Sequence, residues 1–173
     1  EFDDASWISF DNFTFSAQGT GSYACALKFD GGSSNNSITN CQIEGSATSA
    51  SSLARTIQSN SAGNNANTFM HNTIIGGYYG VYFRGGSTTS TNEDNVWENN
   101  IFEDAYRYGA YYYYSTNLKW NKNKVSSSRN YSSMYGFYSY YSYKASEIIG
   151  NDINIPGYAA MWLGYHEGNN NDK

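Results

Sequence analysis

Three basic residues, Lys28, Arg55 and Arg84, stand out as groups able to take a carbon-bound proton in this chain. They recur at intervals of about the length that a coiled repeat brings onto one face. Elimination on a polyuronate needs such a base, together with calcium or another cation to neutralise the substrate carboxylate. Asp30 could offer one carboxylate. Hydrolysis needs two convergent carboxylates instead. Glu93, Asp94 and Glu98 are close in sequence, His71 takes the place matching Glu98 one interval earlier, and His166 precedes Glu167. None of these groups has the ligand number of a metal site. Each also reads as a solvated surface charge, where a single ion pair contributes little.

Recognition is the second chemistry. Tyr82, Arg84, Tyr111, Tyr113, Tyr138 and Tyr140 alternate with apolar or small neighbours in Tyr79-Gly-Val-Tyr-Phe-Arg84, Tyr108-Gly-Ala-Tyr-Tyr-Tyr113 and Tyr135-Gly-Phe-Tyr-Ser-Tyr140. Alternation with period two marks a strand with one buried face. That phase sends Lys28, Met161 and Leu163 outward with the tyrosines. It sends Leu27, Phe29, Val81, Phe83, Ala110, Tyr112, Phe137, Ala160 and Trp162 inward. Outward rings could stack on sugar rings while their hydroxyls bond sugar hydroxyls; Tyr, Ser, Gly and Asn suit adaptable recognition. The competing reading is a structural tyrosine ladder.

A repeat positions these strands. Apolar-x-x-Asn-x-apolar appears as Phe69…Asn72…Ile74, Val96…Asn99…Ile101, Trp120…Asn123…Val125 and Ile148…Asn151…Ile153. Ile38…Cys41…Ile43 and Phe10…Phe13…Phe15 are earlier copies without Asn. Each interval holds about three short strands, which cannot bury a face until coils stack about 4.8 Å apart. Stacking predicts an amide ladder of Asn72, Asn99, Asn123 and Asn151 at a bend where Asn also tolerates a left-handed backbone. No stretch shows a convincing helical period; 53–57 could make one turn, and this second coil is the least regular.

Composition agrees with such an all-β fold. Aromatics make up 18% of the 173 residues, which separates the chain from disordered polar sequences, and one proline leaves strands uninterrupted. Net charge of −5 argues against a nucleic-acid partner. No apolar run is long enough for a membrane span. Cys25 and Cys41 read as packed thiols, with a disulfide open in an oxidising compartment. The sequons at Asn12, Asn35 and Asn130 are chance matches in so Asn-rich a chain. Glu1-Phe2-Asp3-Asp4 reads as a mature or excised N-terminus, and 168–173 as a loop into a further coil.

With Asn-x-Ile-x-x-Asn-x-Ile and Tyr-Gly-Val-Tyr-Phe phrases from Trp7 to His166, the chain resembles right-handed parallel β-helix repeats of the pectate-lyase-like superfamily. It is most similar to the Asn/Tyr-rich solenoids of large secreted Bacteroidota surface proteins. The resemblance implies a right-handed β-helix of about six coils of three short strands, one domain over 1–173, cut from a longer solenoid. It implies a secreted or outer-surface location and further coils or domains at both ends. In enzymes of this fold the cleft follows the strand matched here by the Tyr-Gly strand. The superfamily's clustered calcium-binding acids are replaced by Tyr, so calcium enters only with the lyase reading. The expectation is a non-catalytic, adhesin-like module for polysaccharide or a cell-surface glycan. The alternatives are a carbohydrate-active enzyme and a structural spacer, since this fold carries all three.

Overall fold

The computed structural model describes residues 1–20 and 22–167. The chain winds as a right-handed parallel β-solenoid of about six coils, with three sheets and no helix among the described residues. The first sheet stacks Phe2–Asp3, Leu27–Asp30, Arg55–Ser59, Tyr79–Arg84, Tyr108–Thr116, Tyr135–Tyr143 and Ala159–Glu167. The second runs through Ser9–Asp11, Ser37–Thr39, Thr68–Met70, Val96–Glu98 and Lys119–Asn121. The third runs from Thr14–Ser16 to Asp152–Asn154. Where 53–57 could have made a turn, Arg55–Ser59 is instead a strand of the first sheet in register with its neighbours.

Three inward files fill the coil. Phe29, Ser59, Phe83, Tyr112 and Ser139 come from the first sheet. Phe10, Ile38, Phe69, Trp97 and Trp120 come from the second, and Phe15, Ile43, Ile74, Phe102, Val125 and Ile153 from the third. Phe69 stacks on Trp97 at 3.7 Å and 7°, so like residues one coil apart replace a conventional interdigitated core.

The asparagine ladder is Asn72, Asn100, Asn123 and Asn151, which corrects the expected Asn99 by one residue. Trp97 pairs with Phe69 and Trp120, so the true copy of the repeat is Trp97…Asn100…Phe102. Asn99 (φ 54°) is the left-handed residue just before the ladder position, as are His71 (φ 56°) and Lys122 (φ 53°). The bend therefore divides its two tasks between two adjacent residues: one takes positive φ, and the next supplies the amide.

Asn100 is fully buried. Its Oδ1 accepts the backbone N–H and the Nδ2 of Asn72, both at 3.0 Å. Its Nδ2 donates to Phe69 O at 2.9 Å and Asn123 Oδ1 at 3.1 Å. Phe13 N–H donates to Cys41 Sγ at 3.5 Å, so the thiol takes the amide's place near one end. A second ladder, Asn36, Asn67 and Asn95, holds the bend ahead of the second sheet. Both thiols are free.

The last coil is also shifted by one from its expected phase. Phe137 pairs with Met161, Tyr138 with Trp162 and Ser139 with Leu163. Met161 and Leu163 therefore belong to the inward file, and Trp162 belongs to the outer face. The equivalent of Tyr135-Gly136 is Ala159-Ala160, not Tyr158-Ala159.

Candidate tyrosine recognition face

The Tyr-Gly strands place their aromatic rings on the outside of the first sheet because glycine breaks the alternation. A Cβ on Gly80 would come within 2.5 Å of Gly109 O, and one on Gly109 within 2.6 Å of Gly136 O. Only glycine fits this close approach of successive coils. The bend that it allows puts Tyr79 and Tyr82 side by side, with ring centroids 4.9 Å apart and rings crossed at 70°.

The result is a set of parallel files. Tyr82, Tyr111, Tyr138 and Trp162 stack at 5.2, 4.9 and 4.3 Å with interplanar angles of 1°, 7° and 6°. Tyr79, Tyr108 and Tyr135 stack beside them at 4.8 and 5.1 Å. Tyr113 stacks on Tyr140 at 5.2 Å, and Tyr114, Tyr141 and Tyr165 form the next file at 5.3 and 5.0 Å. Tyr78, Tyr106 and Tyr131 continue the surface onto the loops before the sheet.

All six expected binding residues, Tyr82, Arg84, Tyr111, Tyr113, Tyr138 and Tyr140, thus share one face. The expectation of open ring faces meets a different geometry. Centroid spacing equals strand spacing, so a ring inside a file, such as Tyr111, turns both faces to its file neighbours. Tyr82 is 8% exposed. Ring edges and hydroxyls are what this surface offers. Burial, followed by neighbouring phenols, pushes Tyr79 and Tyr111 well above the usual tyrosine range, which keeps them protonated and able to donate.

Sequence reasoning missed Tyr79, Tyr108, Tyr135, Tyr114, Tyr141, Tyr165 and Trp162. Strict alternation places the first three inward, and the glycine bend reverses that. Tyr114, Tyr141 and Tyr165 have φ of 57°, 53° and 50°, so a left-handed residue breaks the alternation again. The recurring Tyr-Gly pair and the unbroken Tyr runs were the available signals.

The three lyase candidates do not line up. Lys28 pairs with Gln58, Arg55 with Tyr79 and Arg84 with Tyr113, so they occupy three different files. Lys28 Nζ is held by Glu1 Oε1 at 2.6 Å and Asp30 Oδ2 at 3.1 Å, and those partners raise its pKa. The Arg55 guanidinium lies over Tyr82 at 3.8 Å, and that of Arg84 over Tyr113 at 5.6 Å. Arg107 lies over Tyr108 and Tyr135 at 5.8 and 5.7 Å.

The hydrolase candidates are dispersed. Glu98 pairs with Met70 rather than His71, because the repeat is shifted by one. Glu98 accepts from Lys122 Nζ at 2.9 Å, and Asp94 accepts from Asn117 Nδ2 at 2.9 Å. His166 packs toward Ser139 O at 3.3 Å, and its pKa is lowered by burial. Among the described residues no group of three His, Cys, Asp or Glu gathers to hold a metal ion.

A search of curated proteins and a search of solved structures each found no match to the chain. The model of the family described as "Right handed beta helix region" matches residues 2–153. With that match over most of its length, and with parallel coils ordered as described, the chain belongs to the right-handed beta helix family.

Proposed function

We propose that this β-helix is a non-catalytic module of a secreted or cell-surface protein, and that it binds an extended polysaccharide along its tyrosine face. One observation carries the reading: the files of phenol edges and hydroxyls run uninterrupted over successive coils, and their charged members are arginines. Arg55, Arg84 and Arg107 all lie against tyrosine rings. The ion pairs among the described residues use Lys28, Lys119 and Lys122. In a chain of net charge −5, guanidinium groups left to meet a ligand favour a glycan bearing carboxylates or sulfates. Hydroxyl rows at the coil spacing suit a linear polymer whose own hydroxyls repeat at a similar interval.

The test is titration calorimetry and a glycan array with acidic and neutral polysaccharides. Acidic polymers bind, and affinity falls with salt. Tyr111→Ala with Tyr138→Ala abolishes binding. Tyr113→Phe with Tyr140→Phe keeps the stacks and weakens binding, as does Arg84→Gln. Binding to no glycan at all sinks the reading. Ultraviolet-absorbing unsaturated products from a polyuronate, lost in Arg84→Ala or Lys28→Ala, would replace it with the lyase. A second reading, a structural spacer, is favoured by the ring-on-ring stacking itself, which stabilises the sheet without any ligand.

A further inference from the structure

The corner formed by Tyr113, Tyr114, Tyr140, Tyr141 and Tyr165 differs from the flat files beside it. A bulky residue with positive φ is rare and costs about 1–2 kcal/mol. Here tyrosine holds that position in three successive coils, at Tyr114, Tyr141 and Tyr165. The left-handed residue turns two consecutive side chains outward together, so Tyr140 and Tyr141 cross at 79° with centroids 4.4 Å apart.

The same turn creates diagonal contacts between coils. Tyr113 meets Tyr141 at 5.7 Å and 79°, and Tyr140 meets Tyr165 at 5.0 Å and 76°. These two pairs are equivalent, because Tyr113 and Tyr140 are register partners. Crossed rings bring edge to edge or edge to face, where the carbons beside the hydroxyl can meet. Rings stacked in parallel present only faces. The corner is also reachable: Tyr113, Tyr114, Tyr140 and Tyr141 are all partly exposed, whereas the comparable crossed pair Tyr79–Tyr111 lies against the buried Tyr82.

We propose that this corner is a site of oxidative cross-linking, in which Tyr113 couples to Tyr141 and Tyr140 to Tyr165 and neighbouring coils become covalently joined. The oxidant is hydrogen peroxide acting through a haem peroxidase. Each phenol gives up one electron and one proton. The two tyrosyl radicals form a carbon–carbon bond through the positions ortho to oxygen. Each ortho hydrogen then moves to its oxygen and restores the phenol. Two hydrogens leave per link, the peroxide O–O bond breaks, and two waters form. A link between residues a full coil apart constrains the unfolded chain in the manner of a disulfide.

The experiment treats the dilute full chain with peroxidase and hydrogen peroxide and isolates the monomer. Dityrosine fluorescence and the loss of two hydrogens per link are measured, and tryptic peptides are mapped. The expected products join peptide 108–119 to 130–144, and peptide 130–144 to the one carrying Tyr165. Tyr165→Phe keeps the ring and removes the second product. Tyr113→Phe removes the first, which separates it from a Tyr108–Tyr138 link in the same peptides. Tyr82→Phe leaves both unchanged. Links found only between molecules, links confined to the Tyr79 and Tyr82 files, or oxidation of Trp162 without a link each overturn the proposal. None of these outcomes depends on glycan binding.

Discussion

The guanidinium carbon of Arg55 lies 3.8 Å from the centroid of the Tyr82 ring and covers the face that the next tyrosine of the file would otherwise occupy. The file needs such a lid, since Gln58 rather than an aromatic residue pairs with Tyr82 from the preceding coil. Arg55→Ala is expected to destabilise the protein by about 1 kcal/mol, with Arg55→Lys intermediate because ammonium is more strongly hydrated than the planar guanidinium. Urea unfolding of the three proteins checks this, and equal midpoints for Arg55→Ala and the parent count against the cap.

Asn99 and Asn100 are adjacent, identical in type and different in role. Asn100→Ala leaves the Asn72 N–H and Phe69 O without their partners in the interior, so a loss of about 3 kcal/mol or more is expected. Asn99→Ala only places a Cβ-bearing, non-hydrogen-bonding residue at φ 54°, a cost of about 1 kcal/mol. Asn99→Gly is expected to be nearly neutral. Chemical denaturation ranks the three, and Asn99→Ala proving the worse would reverse the register assigned to this coil.

These two residues also mark how far the sequence could be read. Periods of two dozen residues, with apolar side chains three before and two after a recurrent Asn, are enough to reveal coils, because every coil must solve the same burial problem. Where both Asn99 and Asn100 satisfy the pattern, with Val96 and Ile101 as apolar as Trp97 and Phe102, only strand pairing decides. The tyrosine face was legible for Tyr82, Tyr111 and Tyr138, which keep the strand alternation. It was hidden at Tyr79 and Tyr114, where a glycine bend and a left-handed residue override it. The last coil slipped because Ala159-Ala160 replaces Tyr-Gly while a nearby Tyr158 imitates it.

Tyr112 sits fully inside the coil, and its hydroxyl makes no hydrogen bond among the described residues; the same holds for the indole nitrogens of Trp97 and Trp120. A buried hydroxyl without a partner costs about 1–3 kcal/mol. Tyr112→Phe keeps the ring against Phe137 and removes that cost. A gain of about 1 kcal/mol is expected in thermal or urea unfolding. A clear loss would show that the hydroxyl is hydrogen-bonded in the folded protein.

Alkaline pH tests the tyrosine files at Tyr79 and Tyr111. Tyr79 and Tyr111 are held above the ordinary value of 10.0, first by burial and then by the phenols around them. A phenol whose folded pKa is raised contributes stability that is fully present below the unfolded pKa and is lost as pH rises toward the folded one. Stability should therefore be flat with respect to these groups up to about pH 10 and fall steadily above it. The phenolate absorbance of Tyr79 and Tyr111, isolated by difference from the Tyr79→Phe and Tyr111→Phe variants, should accordingly rise together with the loss of the β circular dichroism signal. A rise of that absorbance near pH 10 with the β signal intact would mean that Tyr79 and Tyr111 are open to hydroxide, and that their rings are not packed face to face.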